Sequence, residues 1–165
     1  MELRHWLRAA ANVANLSTLL GLLTGLAGGC RFRRAAGGLI LAEGYRPRFP
    51  VAGAFTMGNV VIICGDDLAG LERRLPCALE HEDAHAWQYA YCLGLPFLPA
   101  YVAAMGWSWL RTGNWGSANP FEVQAGLRAG GYPEVSTIPL RERLSRGGGA
   151  RSERPGAGRA GDAAA

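Results

Sequence analysis

Four β-branched residues in a row, Val60-Val61-Ile62-Ile63, followed at once by the turn formers Gly65-Asp66-Asp67, make a strand the only economical reading of that stretch. Residues 52–57 form a second strand candidate before it. Two shorter ones lie upstream at residues 31–34 and 39–41, with residues 35–38 as a tight turn between them. Pro47 and Pro50 interrupt the segment that links the two pairs. The expectation is a small β-meander of about three or four strands. Helical patterns surround it: residues 9–27, stopped by Gly28-Gly29; residues 68–93, with a break at Pro76; residues 93–110; and a segment opened by Asn119-Pro120 that ends near Gly130-Gly131. The fold class is therefore α+β, a small β-meander packed with helices.

The chain has 165 residues, 49% of them hydrophobic and 18% charged, which suits one domain with a single core. Its organisation reads as an N-terminal apolar helix over residues 1–30, a folded domain over 31–145, and a Gly, Ala, Arg and Ser tail over 146–165 expected to be disordered. The net charge of +4 comes from 17 basic residues, all of them Arg. They are scattered or gathered in the tail, without a basic stripe or a recognisable module, so no nucleic-acid partner is expected. Cys30, Cys64, Cys77 and Cys92 form no CxxC pair, which argues against a cysteine-ligated zinc knuckle and requires no disulfide framework.

The N-terminal run is basic and then apolar, but Asn12, Asn15, Ser17 and Thr18 interrupt it and leave only residues 16–26 densely apolar. That is too short to cross a bilayer, and Arg31, Arg33 and Arg34 follow immediately. Core helix, membrane-surface helix and anchor all stand as readings. A cytoplasmic or peripherally membrane-associated protein is favoured over a secreted one, with membrane association an open possibility. Residues 93–110 carry no charge over 18 positions, yet Pro96 and Pro99 suit the start of a buried helix equally well.

The chemically informative segment is Glu80-His81-Glu82-Asp83-Ala84-His85-Ala86-Trp87-Gln88. On a helix, His81 and His85 lie one turn apart and can grip one metal ion from the same side. Zinc suits nitrogen ligands, and a catalytic site keeps one position for water. Glu82, next to the first imidazole, is placed to accept a proton from that water as general base. Gln88 lies on the same helical face and is a candidate for a hydrogen bond near the site. Chance predicts roughly 0.003 such HExxH matches in a chain of this composition.

Two histidines need a third protein ligand. The metzincin pattern is excluded, because Gln88 and Tyr91 stand where it requires Gly and His. His5, in the basic N-terminal stretch, is a poor candidate. Glu122, in Asn119-Pro120-Phe121-Glu122-Val123-Gln124-Ala125, is the best carboxylate. It also has a simpler explanation: Asn119 fits an N-cap, Pro120 the first helical position, and Glu122 the place of a capping-box glutamate.

HEDAHAWQ with the downstream NPFEVQA resembles the gluzincin branch of the zincin metallopeptidases, and a group of uncharacterised bacterial HExxHxxQ proteins, over about residues 50–132. The resemblance implies a zincin-like active helix, Zn2+ held by His81, His85 and Glu122, Glu82 as catalytic base, and a peptide or protein substrate. It also implies a sheet edge beside the active helix to align substrate by strand addition, for which residues 60–63 are the candidate. Two departures from that pattern stand out. Asp83 is charged where such enzymes are usually uncharged, and no clear oxyanion donor is identifiable among Tyr89, Tyr91, Tyr101 and Tyr132. A different class of function, a noncatalytic metal-stabilised or membrane-associated interaction protein, is suggested by the apolar segments and by Trp107, Trp109 and Trp115.

Overall fold

A computed structural model of the chain describes residues 2–50 and 52–139; the tail expected to be disordered lies outside the described residues. Six α-helices accompany four strands: α1 (Leu3–Ala14), α2 (Ser17–Ala27), β1 (Arg31–Arg34), β2 (Ile40–Tyr45), β3 (Ala54–Met57), β4 (Val60–Cys64), α3 (Leu68–Arg74), α4 (Ala78–Tyr91), α5 (Phe97–Thr112) and α6 (Pro120–Ala125). The class is α+β. The sheet, however, is mixed, and its order β1-β2-β4-β3 is not that of a simple meander. β2 and β4 run parallel, while β1 and β3 are antiparallel additions on the outside.

The β-branched run explains this arrangement. Alternate residues of a strand face opposite sides, so four successive apolar residues demand cover on both faces. Val61 and Ile63 join Leu39, Leu41, Leu71, Ala78 and Ala86 under α3 and α4. Val60 and Ile62 join Ala42 and Tyr45 on the other face, where Leu22 of α2 packs against them. Residues 60–63 are therefore interior and not the sheet edge expected for substrate alignment; among the described residues the edges are β1 and β3, and β3 is the one beside α4. The turn between β3 and β4 needs Gly58, whose φ is +62° and where a Cβ would come within 2.4 Å of the Thr18 backbone nitrogen.

The N-terminal segment, expected as one helix, is two helices bent by 73°. The side chain of Asn15 accepts hydrogen bonds from the Ser17 amide (3.1 Å) and hydroxyl (2.6 Å), and Leu16 turns to φ 67°. A side chain that satisfies local backbone donors in this way ends helical propagation. Both helices pack on the domain. Asn12 reaches the Ala86 carbonyl at 2.8 Å, and the buried Arg8 guanidinium donates to Asp83 and to the Gly37 carbonyl. Among the described residues no single helix is long and apolar enough to cross a membrane, although the bent pair passes that test jointly by length and composition. The tryptophans of α5 engage their neighbours: Trp109 stacks on Trp115, just beyond the helix, and Arg111 lies over Trp107.

Candidate metal centre

α4 begins after Cys77 and carries His81, Glu82, His85 and Gln88 inward, all of them buried. Its back is taken by α1, so the face bearing the two imidazoles is turned to α6. There Asn119 caps the helix by accepting from the Phe121 amide, with Pro120 in the first turn. The capping box, however, does not close. The Asn119 amide donates to the Gly116 carbonyl, which frees the Glu122 carboxylate to turn inward toward α4.

Three side chains from two helices thus converge. His81 Nε2 and His85 Nε2 stand 3.1 Å apart; Glu122 places one carboxylate oxygen 3.2 Å from the former and the other 3.6 Å from the latter. For a tetrahedral ion with ligand bonds of about 2.0–2.1 Å, neighbouring ligand atoms lie roughly 3.3 Å apart. The two carboxylate distances run to different oxygens, and one ligand atom from each residue lies within 4.8 Å of the others, close enough to share one ion. Glu122 Oε2 is buried and without a hydrogen-bond partner, which leaves an anionic acceptor aimed into the cluster. The group His81, His85 and Glu122 can hold a metal ion.

The surroundings prepare both rings for that role. His81 Nδ1 lies 3.1 Å from the Gly126 carbonyl, an acceptor, so Nδ1 carries the proton and Nε2 presents its lone pair. His85 Nδ1 is held at 2.8 Å by Gln88 Oε1, while Gln88 Nε2 donates to the Phe121 carbonyl and Gln124 Oε1, both at 2.9 Å. Gln88 therefore orients the His85 ring and ties α4 to α6 in one move. The Tyr101 hydroxyl donates to Glu122 Oε1, and Tyr132 stands beside it. Without a metal, burial pushes the Glu122 carboxyl up, but the adjoining imidazoles of His81 and His85 outweigh it and hold its pKa at about 2. Burial acts against protonation of His85, yet its hydrogen bond to Glu122 and the charges of Glu82 and Glu122 raise its pKa overall.

Glu82 is buried and points to the sheet, where the Thr56 hydroxyl of β3 donates to its carboxylate at 2.8 Å. Asp83 neither approaches the ligands nor faces solvent freely; it neutralises Arg8 of α1. Of the tyrosines considered, Tyr101 and Tyr132 border the cluster, Tyr89 is buried against Phe97, and Tyr91 is exposed. His5 is apart from the cluster, against Trp87. Residues not foreseen are Thr56, Gly126 and Gly130. A Cβ at Gly130 would come within 2.4 Å of the His81 ring, so only glycine lets this stretch lie flat on the ligand. The early end of α6 has the same origin, because the chain leaves the helix at Gly126 (φ 97°), whose carbonyl serves His81. Gly130-Gly131 in sequence looks like a helix stop, which hides this role. No family model, curated protein or solved structure matches this chain.

Proposed function

We propose that this chain is a zinc-dependent hydrolase of the zincin type, acting on peptide or other amide bonds. One observation supports it above the rest. Two imidazoles on one helix and a carboxylate from another converge closely enough to share one metal ion, and Glu82 adjoins the first imidazole in sequence. A His, His and Glu donor set leaves one position of a four-coordinate zinc open, the arrangement of catalytic rather than structural sites. Zinc bound there supplies Lewis acidity, making water acidic near neutral pH and polarising a carbonyl.

The residues divide the rest of the task. Gly126 and Gln88 hold the two rings in the tautomer that offers Nε2. Glu82 takes a proton from the attacking water and delivers it to the leaving amine, with the Thr56 hydroxyl holding its carboxylate. β3, the edge strand next to α4, is the place for an extended peptide to pair.

Purified protein is expected to contain close to one zinc per chain, and the His81→Ala, His85→Ala double variant none. Glu82→Gln retains zinc and loses hydrolysis. Metal-free, well-folded wild-type protein overturns the reading, as does hydrolysis that survives Glu82→Gln. A second reading, a metal that only fastens α4 to α6, draws on the depth of the cluster: His81, His85 and Glu122 are 4%, 7% and 1% exposed. Stoichiometric zinc with no hydrolysis across a diverse peptide library favours that second reading.

A further inference from the structure

α1 and α2 are built the wrong way round for a helix pair in water. The positions α1 buries are Arg8 and Asn12, while Leu3, Trp6, Leu7 and Val13 share its exposed face. The inner face is engaged as a polar one: Arg8 with Asp83 and Gly37, Asn12 with Asn59 and Ala86. α2 repeats the inversion. It buries Ser17, Thr18, Gly21 and Gly25 and exposes Leu19, Leu23 and Leu26. Its glycines lie so close to the sheet that a Cβ would come within 2.6 Å of the Met57 carbonyl at Gly21 and 2.8 Å of Phe32 at Gly25. A helix on a water-facing surface buries its leucines and exposes its polar residues. Small and polar residues inward with leucine outward is how helices pack when lipid is the solvent.

We infer that the outer face of α1 and α2 is a membrane-docking surface, seated at the headgroup–acyl boundary of an anionic bilayer. The lengths set the depth. At 12 and 11 residues the helices are about 18 and 17 Å long, each well short of the ~30 Å hydrocarbon core, and with a 73° bend and their inner faces packed on the domain they lie along the boundary. The charge selects the lipid. Of the five Arg between residues 3 and 42, Arg8 is neutralised by Asp83, and Arg4 and Arg33 pair with Glu2 and Glu43; Arg31 and Arg34 of β1, which follows α2 directly, stay exposed without an ion pair among the described residues. A second copy of the chain would bring these arginines against their own kind, whereas anionic headgroups complement them. The α4–α5 turn extends the surface. Gly94 packs on Asn15 at the bend, and the adjacent Leu93 and Leu95 are exposed there.

The test is flotation of the full chain with vesicles of phosphatidylcholine alone and of phosphatidylcholine mixed with phosphatidylglycerol. The wild type floats with the mixed vesicles, less so in high salt. Leu19→Glu with Leu23→Glu, both on the outer face, lowers the bound fraction at least about tenfold while far-UV circular dichroism and zinc content stay unchanged. Wild-type protein that remains unbound by both vesicle types overturns the inference. So does a wild-type dimer that the double substitution converts to monomer without any lipid binding, since the face is then an interface between copies. If the double variant does not fold, quenching of wild-type fluorescence by bromine-labelled acyl chains, with Trp6→Phe as reference, decides. No Trp6-dependent quenching overturns the inference. The metal analysis above is independent of every one of these outcomes.

Discussion

Removing the Asp83 carboxylate should destabilise the protein far more than removing the arginine it faces. Arg8 has a side chain that is 0% exposed, against 30% for Asp83. Its Nε already lacks a partner, its other contacts being the Gly37 carbonyl and the Trp87 ring. Asp83→Ala therefore strands a cation that water cannot reach. Losing one partner of a buried pair costs about 3–5 kcal/mol, and the carbonyl and the ring that remain place this case near 3. For a domain of this size that is a fall of about 10 °C in Tm. Arg8→Met removes the buried charge itself and leaves Asp83 within reach of solvent, so its cost should be about half or less. The assay is urea and thermal unfolding of the two single variants and of the Arg8→Met, Asp83→Leu double variant. The double variant should recover most of what Asp83→Ala loses. If Asp83→Ala costs under about 1 kcal/mol, or if Arg8→Met costs more, the account of a buried cation held by this carboxylate is wrong.

Gln88→Ala removes the acceptor on His85 Nδ1 and should weaken zinc affinity by about 10–100-fold in chelator competition, with the fold retained. Gly130→Ala drives a methyl into the His81 ring and should weaken zinc by at least about tenfold, whereas the same change at Gly106, where nothing lies within 4 Å, should not. Zinc at about 100 times its Kd should add about 2.7 kcal/mol to stability, an increment that chelation removes and that the His81→Ala, His85→Ala variant never shows. Tyr101→Phe should leave zinc bound, because the Tyr101 hydroxyl reaches the Glu122 oxygen and not the imidazoles.

The helix that carries the two imidazoles was legible because its signal is local. A four-residue spacing on a helix places His81 and His85 together whatever the rest of the chain does, and Asn119-Pro120 announces α6 by capping chemistry alone. The role of Glu122 was not decidable at that level. A ligand and a capping residue would occupy the same sequence position; whether Glu122 caps depends on whether the Asn119 amide is free, and Gly116 takes that amide from three residues away. The strands were readable from composition, but not their order. The parallel pairing of β2 with β4 is a long-range consequence of burying residues 60–63 on both faces. Hydrophobic periodicity is likewise silent on which face of α1 points inward. The partners that turn Arg8 and Asn12 into interior residues lie 29 to 75 positions away, at Gly37, Asn59, Asp83 and Ala86.

Those partners also connect the two ends of the molecule's chemistry. The residues of α4 that grip α1 are Asp83, Ala86 and Tyr89, through Arg8, Asn12 and Asn15. The residues that face α6 are His81, His85 and Gln88. The two sets alternate around a single helix, so α1 stands directly behind the imidazoles. Helices pack with their axes about 8–10 Å apart, which puts the outer face of α1 within roughly two helix diameters of the metal cluster. A bilayer against that face then lies close behind the centre, and Glu82 opens toward β3 rather than toward lipid. If both proposals hold, the docking surface and the His81, His85 and Glu122 cluster are separable by mutation but not by distance, and a substrate that pairs with β3 meets it close to the membrane surface.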